Sequence, residues 1–347
     1  MKESILSSGG AGVAKIMLAE EGLIRAYGLF PHPNVLAGFL GITILLTMAY
    51  PIIFGRKMFH VEQSVLLYRL VLGIQVIGFL LTFSKGAFLG LPLAIGYFVY
   101  KMFHVEQFKT SLVGSEKNVP RGTIQDLFSW FRKKCSTWNI PKILLITITI
   151  GLFLGMVNWQ YFFIQPFKER VFLEKGFFFI LREHPFQGVG IGQSVFTMQG
   201  FFSEKLFSWQ FQPVHNLFLL IFSETGLIGT LLFLSLLILI IVPRGTIWSF
   251  LNWIREKCST WNNAFKISKM FHVEQLKNNE TDLVENVPRG TIGDLRMKAL
   301  LEAAILFLGA VSLFDHYLWD IQQGQLLFWL ILGLFSSSRL LSYNIDK

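Results

Sequence analysis

Two polar stretches set against long apolar runs hold the side chains best suited to chemistry. Residues 182–192 read REHPFQGVGIG, and residues 213–230 read PVHNLFLLIFSETGLIGT. His215, followed by Asn216 and then an apolar segment, has the pKa range of a base that takes a proton from a hydroxyl; capping a helix is the plainer role for the same position. Glu224, more than two turns farther on, fits either a helix-end anchor or a group that orients such a base. The glycines of GVGIG follow no predicted strand, which removes the dinucleotide-loop reading and leaves tight turns or a close approach of a substrate.

Cationic side chains supply the complementary chemistry. Residues 167–192, FKERVFLEKGFFFILREHPFQGVGIG, carry Arg170, Lys175, Arg182 and His184. Arg170, Phe177 and Ile180 recur at helical intervals, so an amphipathic helix is predicted along a membrane surface, ended by Pro185. Arginine grips phosphate oxygens through two parallel N–H groups, so this helix suits a diphosphate, with attraction to lipid headgroups as the simpler alternative. Upstream, LIRAYGLFPHPN (23–34) places Arg25 and His32 before a Pro-Asn turn, and LTFSKGAFLG (81–90) places Lys85 in a tight hairpin. Lys85 is either an anion contact or a snorkelling interfacial charge.

The elements that must position these groups are predicted to be membrane helices. Of 347 residues, 52% are hydrophobic and 15% charged, with 36 phenylalanines, too apolar for a soluble domain of this size. Segments 35–54, 64–82, 86–103, 140–157, 217–242, 299–314 and 325–341 each approach the roughly 20 helical residues that cross a hydrocarbon core. The expected fold is therefore all-α, a polytopic transmembrane bundle of about seven spans forming one membrane domain over 1–342. Residues 158–216 form a large extracytoplasmic loop with interfacial helices. No cleavable signal peptide is evident, because residues 1–30 have no sustained apolar run.

The net charge of +9 is spread between spans and forms no stripe, which argues against a nucleic-acid partner. Most of the 31 lysines and arginines fall in loops 55–63, 101–142 and 243–298 and in the tail after 338, making that side cytoplasmic. The 158–216 loop and the 315–323 turn then lie outside.

Three peptides recur in or beside the basic loops: VPRGT at 119, 242 and 287, FHVEQ at 59, 103 and 271, and CSTWN at 135 and 258. One DNA palindrome, TGTTCCACGTGGAACA, encodes all three in its three frames. A methionine precedes every FHVEQ, at Met58, Met102 and Met270, as that frame requires. These are read as inserted copies of a DNA element in loops that tolerate insertion. Cys135, Cys258, His60, His104 and His272 all lie within them, so no catalytic role, zinc site or disulfide is expected of these residues. The remaining histidines, His32, His184, His215 and His316, map to the outer side, which suggests a shared site.

HPFQGVGIG followed by PVHNLFLLIFSETGLIG resembles the signature of the O-antigen ligase and polymerase family. RAYGLFPHPNVLAGFL, LTFSKGA and the closing FDHYLWDIQQGQLLFWLILGL are similar to the same family's other motifs, so the likeness covers the chain outside the palindrome loops. It implies a metal-independent, inverting glycosyltransferase without cofactor in the bacterial cytoplasmic membrane, acting on its outer face. The partners implied are an undecaprenyl diphosphate-linked glycan, a lipid core or glycan acceptor, and membrane lipids. By the family pattern, Arg170 and Arg25 contact the diphosphate and His215 serves as base, with Glu224 beside it. His32, Lys85, Arg182, His184, Asn216 and His316 complete the expected substrate contacts. Two departures stand out. Lys85 replaces the family's usual arginine, and the family carries further spans ahead of the region matching Arg25, so an N-terminally shortened or split form is expected. The other readings are a chain polymerase of the same family, an inactive remnant, and a membrane transporter. The transporter reading fits less well because Arg69 and Glu224, the charges noted near spans, sit close to span ends.

Overall fold

A computed structural model of the chain describes residues 14–18, 21–53, 62–112, 165–202, 212–242 and 291–345, with the single residues Thr246 and Ser249. One short antiparallel ribbon opens it, β1 (Lys15–Leu18) against β2 (Glu21–Ile24), with Lys15 opposite Ile24. The Arg25 amide extends the pairing to the carbonyl of Ala14. The predicted all-α class holds for the described residues beyond this ribbon, whose four-residue strands are too short to show a helical period.

The helices are α1 (Pro33–Ile53), α2 (Glu62–Leu81), α3 (Lys85–Leu112), α4 (Gln165–Glu183), α5 (Ser194–Gln199) and α6 (Leu217–Ile241). They continue with α7 (Thr291–Ser312), α8 (Tyr317–Asp320) and α9 (Gln322–Ile345). Six of the predicted spans fall on helices; the segment 140–157 lies outside the described residues, as do most of the loops 101–142 and 243–298. Among the described residues, Pro33–Ile53, Lys85–Val105 and Leu217–Ile241 are long and apolar enough to cross a membrane, and α2 adds a shorter apolar run, Leu66–Leu81. α7 falls short by composition, since Asp294, Arg296, Lys298 and Glu302 lie within its first 12 residues. The described residues are thus mostly helical, with three helices compatible with a membrane.

α3 continues past the predicted end at 103, through the FHVEQ copy at 103–107 that the sequence placed in a loop. From Met102 to Leu112 there is no Gly or Pro to stop it.

The core lies where α1, α3 and α7 meet: Ile44, Leu45, Leu91, Ile95, Ala303 and Phe307 are almost fully buried. Small residues set the spacing, since a Cβ on Gly41 would meet Phe307 Cζ at 2.2 Å. α6 instead turns Leu231, Leu232, Leu236, Ile238 and Leu239 outward. Such a stripe suits hydrocarbon.

α6 is broken at Gly226, with φ 65° and ψ −169°. The break frees backbone groups that the loop after α4 takes up. Val189 N donates to Ser223 O (3.0 Å) and Gly190 N to Glu224 O (2.9 Å), while Leu227 N donates to Pro185 O (2.9 Å). Backbones approach this closely only without side chains between them. A Cβ on Gly188 would lie 2.5 Å from the Glu224 carbonyl, and one on Gly226 would lie 2.3 Å from Phe186 O. The GVGIG and SETG motifs are therefore two halves of one backbone seam, and irregular backbone of this kind is tolerated beside lipid when protein buries it. The close approach foreseen for a substrate is made by the chain itself.

Candidate functional site

The N-terminal ends of α1 and α6 and the C-terminal ends of α2 and α7 converge on Asp315, which is 6% exposed. Ala26 N donates to Leu81 O (2.9 Å), pinning the Arg25 segment to the end of α2. Arg25 Nε donates to Thr82 O (2.6 Å), and its Nη2 donates to Asn34 Oδ1. Asn34 Nδ2 in turn donates to Asp315 Oδ2, and the His316 amide donates to Asp315 Oδ1 (2.9 Å). A relay of Arg25, Asn34 and Asp315 thereby links distant segments, the partners of its second bond standing 281 residues apart in sequence.

Three histidines surround this carboxylate. His32 Nδ1 accepts from the Asn34 amide (3.2 Å), leaving its Nε2 to carry the proton of the neutral ring. The rings of His215 and His316 lie 5.3 Å apart. His316 Nδ1 pairs with Asp320 Oδ2 at 2.8 Å, one helical turn on. His215 Nδ1 is buried and has no hydrogen-bond partner among the described residues. His215 sits just ahead of α6, whose N-cap is Asn216: its Oδ1 accepts from Phe218 N and Leu219 N (3.0 Å each), and its Nδ2 donates to Leu313 O (3.1 Å). The capping role thus falls to Asn216 and leaves His215 free of it.

Burial dominates the proton affinities. It pushes His215 down to about 4, against the pull of Asp315 and helped by His316 and Arg170. His32 is likewise lowered to about 4. The near-neutral base expected at His215 is therefore corrected to a weak, fully neutral imidazole. His316 moves the other way: burial opposes it, but Asp320 and Asp315 raise it above the usual range. Burial also pushes Asp315 up, yet His316, His215 and His32 together hold it below the ordinary carboxylate range. Arg25 falls to about 10 through burial and stays charged at neutral pH. Arg170, on α4, is lowered by burial while Asp315 opposes, so it too reaches the cluster electrostatically.

The remaining expected residues fall elsewhere. Lys85 starts α3, directly after the turn whose Thr82 carbonyl receives Arg25. Arg182 and His184 are exposed at the end of α4, with no side-chain partner in the cluster among the described residues. Glu224, 4% exposed, has both oxygens engaged: Ser194 Oγ donates at 3.0 Å and Trp319 Nε1 at 2.8 Å. It ties α5 and α8 to the seam in α6.

Asp315, Asp320 and Asn34 went unnoticed in the sequence, although Asp315 adjoins His316 and Asp320 stands at the i+4 spacing that faces it on a helix. His215, Asp315 and His316 each offer a ligand atom within 4.8 Å of the others, a set that could hold a cation. Arg25 and Arg170 beside it favour an anion instead. The arrangement can thus bind a multiply charged anion and present a neutral imidazole next to it. Comparison with protein-family models, with curated proteins and with solved structures finds no match.

Proposed function

We propose that this chain is an O-antigen ligase-like glycosyltransferase of the bacterial cytoplasmic membrane. It would move a glycan from an undecaprenyl diphosphate carrier to a hydroxyl of a lipid core or glycan acceptor on the outer face. The observation that carries this reading is the gathering of Arg25, Arg170, His32, His215 and His316 around Asp315 at one end of the apolar helices. Arg25 and Arg170 hold the diphosphate. The acceptor oxygen attacks the anomeric carbon from the face opposite the diphosphate, and the bond to phosphate oxygen breaks with inversion. The hydroxyl proton passes to the imidazole of His215, and undecaprenyl diphosphate leaves with the electron pair.

A base of pKa about 4 is weak for a hydroxyl. Arrival of a diphosphate anion nearby raises it, because opposite charge favours the imidazolium. Proton uptake is thereby coupled to an occupied donor site, which suppresses futile chemistry. Glycan attachment by His215→Ala in a strain lacking its own ligase tests the proposal. Loss of attachment with normal membrane levels of the protein is expected, and wild-type attachment would refute it.

A further inference from the structure

A second polar site lies far from the first. Along α3, Lys101 is 16 residues from Lys85. At 1.5 Å per residue that is about 24 Å, close to the thickness of a hydrocarbon core. Here α3 and α7 leave between them a cavity of about 320 Å³, lined by Lys101, His104, Val105, Leu295, Lys298, Ala299 and Glu302. Glu302 pairs with Lys101 (3.0 Å) and accepts from Tyr97 Oη (2.8 Å). That pairing neutralises Lys101 and leaves the half-buried Lys298, which has no side-chain partner among the described residues, as the cavity's uncompensated charge. His104, edge-on to Tyr100 at 4.5 Å, stands at the exposed rim. Val105, Leu295 and Ala299 make the rest of the wall apolar.

One net positive charge, a rim imidazole and an apolar wall at the end of the candidate membrane helix α3, where α7 packs on it, match the phosphodiester and glycerol of a phospholipid. Basic pockets between membrane helices hold such headgroups. We propose that this cavity binds the headgroup of an anionic phospholipid, with its phosphate on Lys298 and His104 and its acyl chains leaving along α3. The site is independent of the glycan-transfer reading. His104 and Val105 come from an FHVEQ copy, so an inserted peptide supplies part of its wall.

The test is native mass spectrometry of the full chain in detergent, titrated with phosphatidylglycerol, with phosphatidylcholine, or with inorganic phosphate. Wild-type protein should saturate with one phosphatidylglycerol in preference to phosphatidylcholine. Lys298→Gln should weaken that binding about fivefold, the factor one basic residue is worth at an anionic surface. Lys168→Gln, an exposed lysine on α4, should leave it within twofold, which separates a site from general headgroup attraction. Equal binding by Lys298→Gln and wild type, no preference between the two lipids, or inorganic phosphate displacing the lipid at equal concentration would each overturn the assignment. If Lys298→Gln does not fold, the lipid preference and the phosphate competition in wild-type protein decide alone.

Discussion

Two buried polar constellations lie at the same end of the helices, and they differ in how completely they are satisfied. Around Glu224, every oxygen has a donor and the neighbouring backbone is paired strand-like across the break in α6. Around Asp315, the relay from Arg25 through Asn34 is closed, but His215 Nδ1 is buried without a partner among the described residues. Fully satisfied buried networks rigidify a fold, whereas an unpaired buried nitrogen costs stability and calls for a chemical reason. The contrast fits architecture in the first region and, under the proposed function, reactivity in the second, although both were expected to be catalytic.

Side-by-side substitutions give the largest effect. His215→Ala should lower glycan transfer by about 10²- to 10⁴-fold, the usual worth of a general base, while leaving the thermal midpoint in detergent near wild type. Glu224→Ala should do the reverse. It strands the Trp319 indole N–H and the Ser194 hydroxyl, at about 1–3 kcal/mol for each buried group left unpaired, while transfer per folded molecule stays within a few-fold. Transfer assays on quantified, folded protein separate the two; an inactive but fully stable Glu224→Ala protein would erase the distinction between the regions.

Next in size is the seam itself. Gly226→Ala places a Cβ 2.3 Å from Phe186 O at a φ of 65°. Left-handed backbone strain in a non-glycine residue costs about 1–3 kcal/mol before any clash is relieved. The expected result is a lower thermal midpoint and faster proteolysis between residues 184 and 193, read by mass mapping of the fragments. Unchanged stability would mean that the GVGIG loop is not anchored there.

The seam also shows what was legible in the sequence. Helix positions at α1, α2, α3, α6 and α9 followed from apolar runs, and α4 from its period, because burial leaves a local pattern. The GVGIG glycines were visible, but not their purpose: the partner backbone lies more than 30 residues on, and glycine reports only that something comes close. Asp315 was missed for a similar reason. Its neighbours Asn34 and Arg25 come from the opposite end of the chain, and no spacing rule joins them.

Acidity sharpens the contrast at a smaller scale. Because burial holds His215 at about 4, the neutral base persists as pH falls from 7.5 to 5, and protonation removes it only near 4 in the free enzyme. The unfolded chain takes up that proton near 6.5, so folding stability contributed by the neutral His215 and His32 is present above 6.5 and is lost as pH falls toward 4. Between pH 7 and 5 the thermal midpoint should therefore drop, with the raised His316 offsetting part of the fall, while kcat/KM, measured well below the midpoint, stays nearly level. His215→Gln, which cannot titrate, should blunt the drop in midpoint. A kcat/KM that falls tenfold per pH unit below 6.5 would instead make His215 an ordinary exposed histidine.

The smallest expected effect concerns the cation that His215, Asp315 and His316 could hold. Asp320 orients His316 as a carboxylate orients a zinc-binding histidine, so the geometry alone permits a metal. Electrostatics argues the other way. Asp315 attracts a cation, but His316, Arg170 and His32 each oppose a positive charge on the His215 ring, Arg25 stays charged at the far end of the relay, and burial of the site penalises any ion left incompletely ligated. Incubation with a chelator followed by removal of the chelate should leave transfer within twofold. A loss restored by stoichiometric zinc would reverse the assignment, making His215 a ligand and moving the base to a metal-bound water.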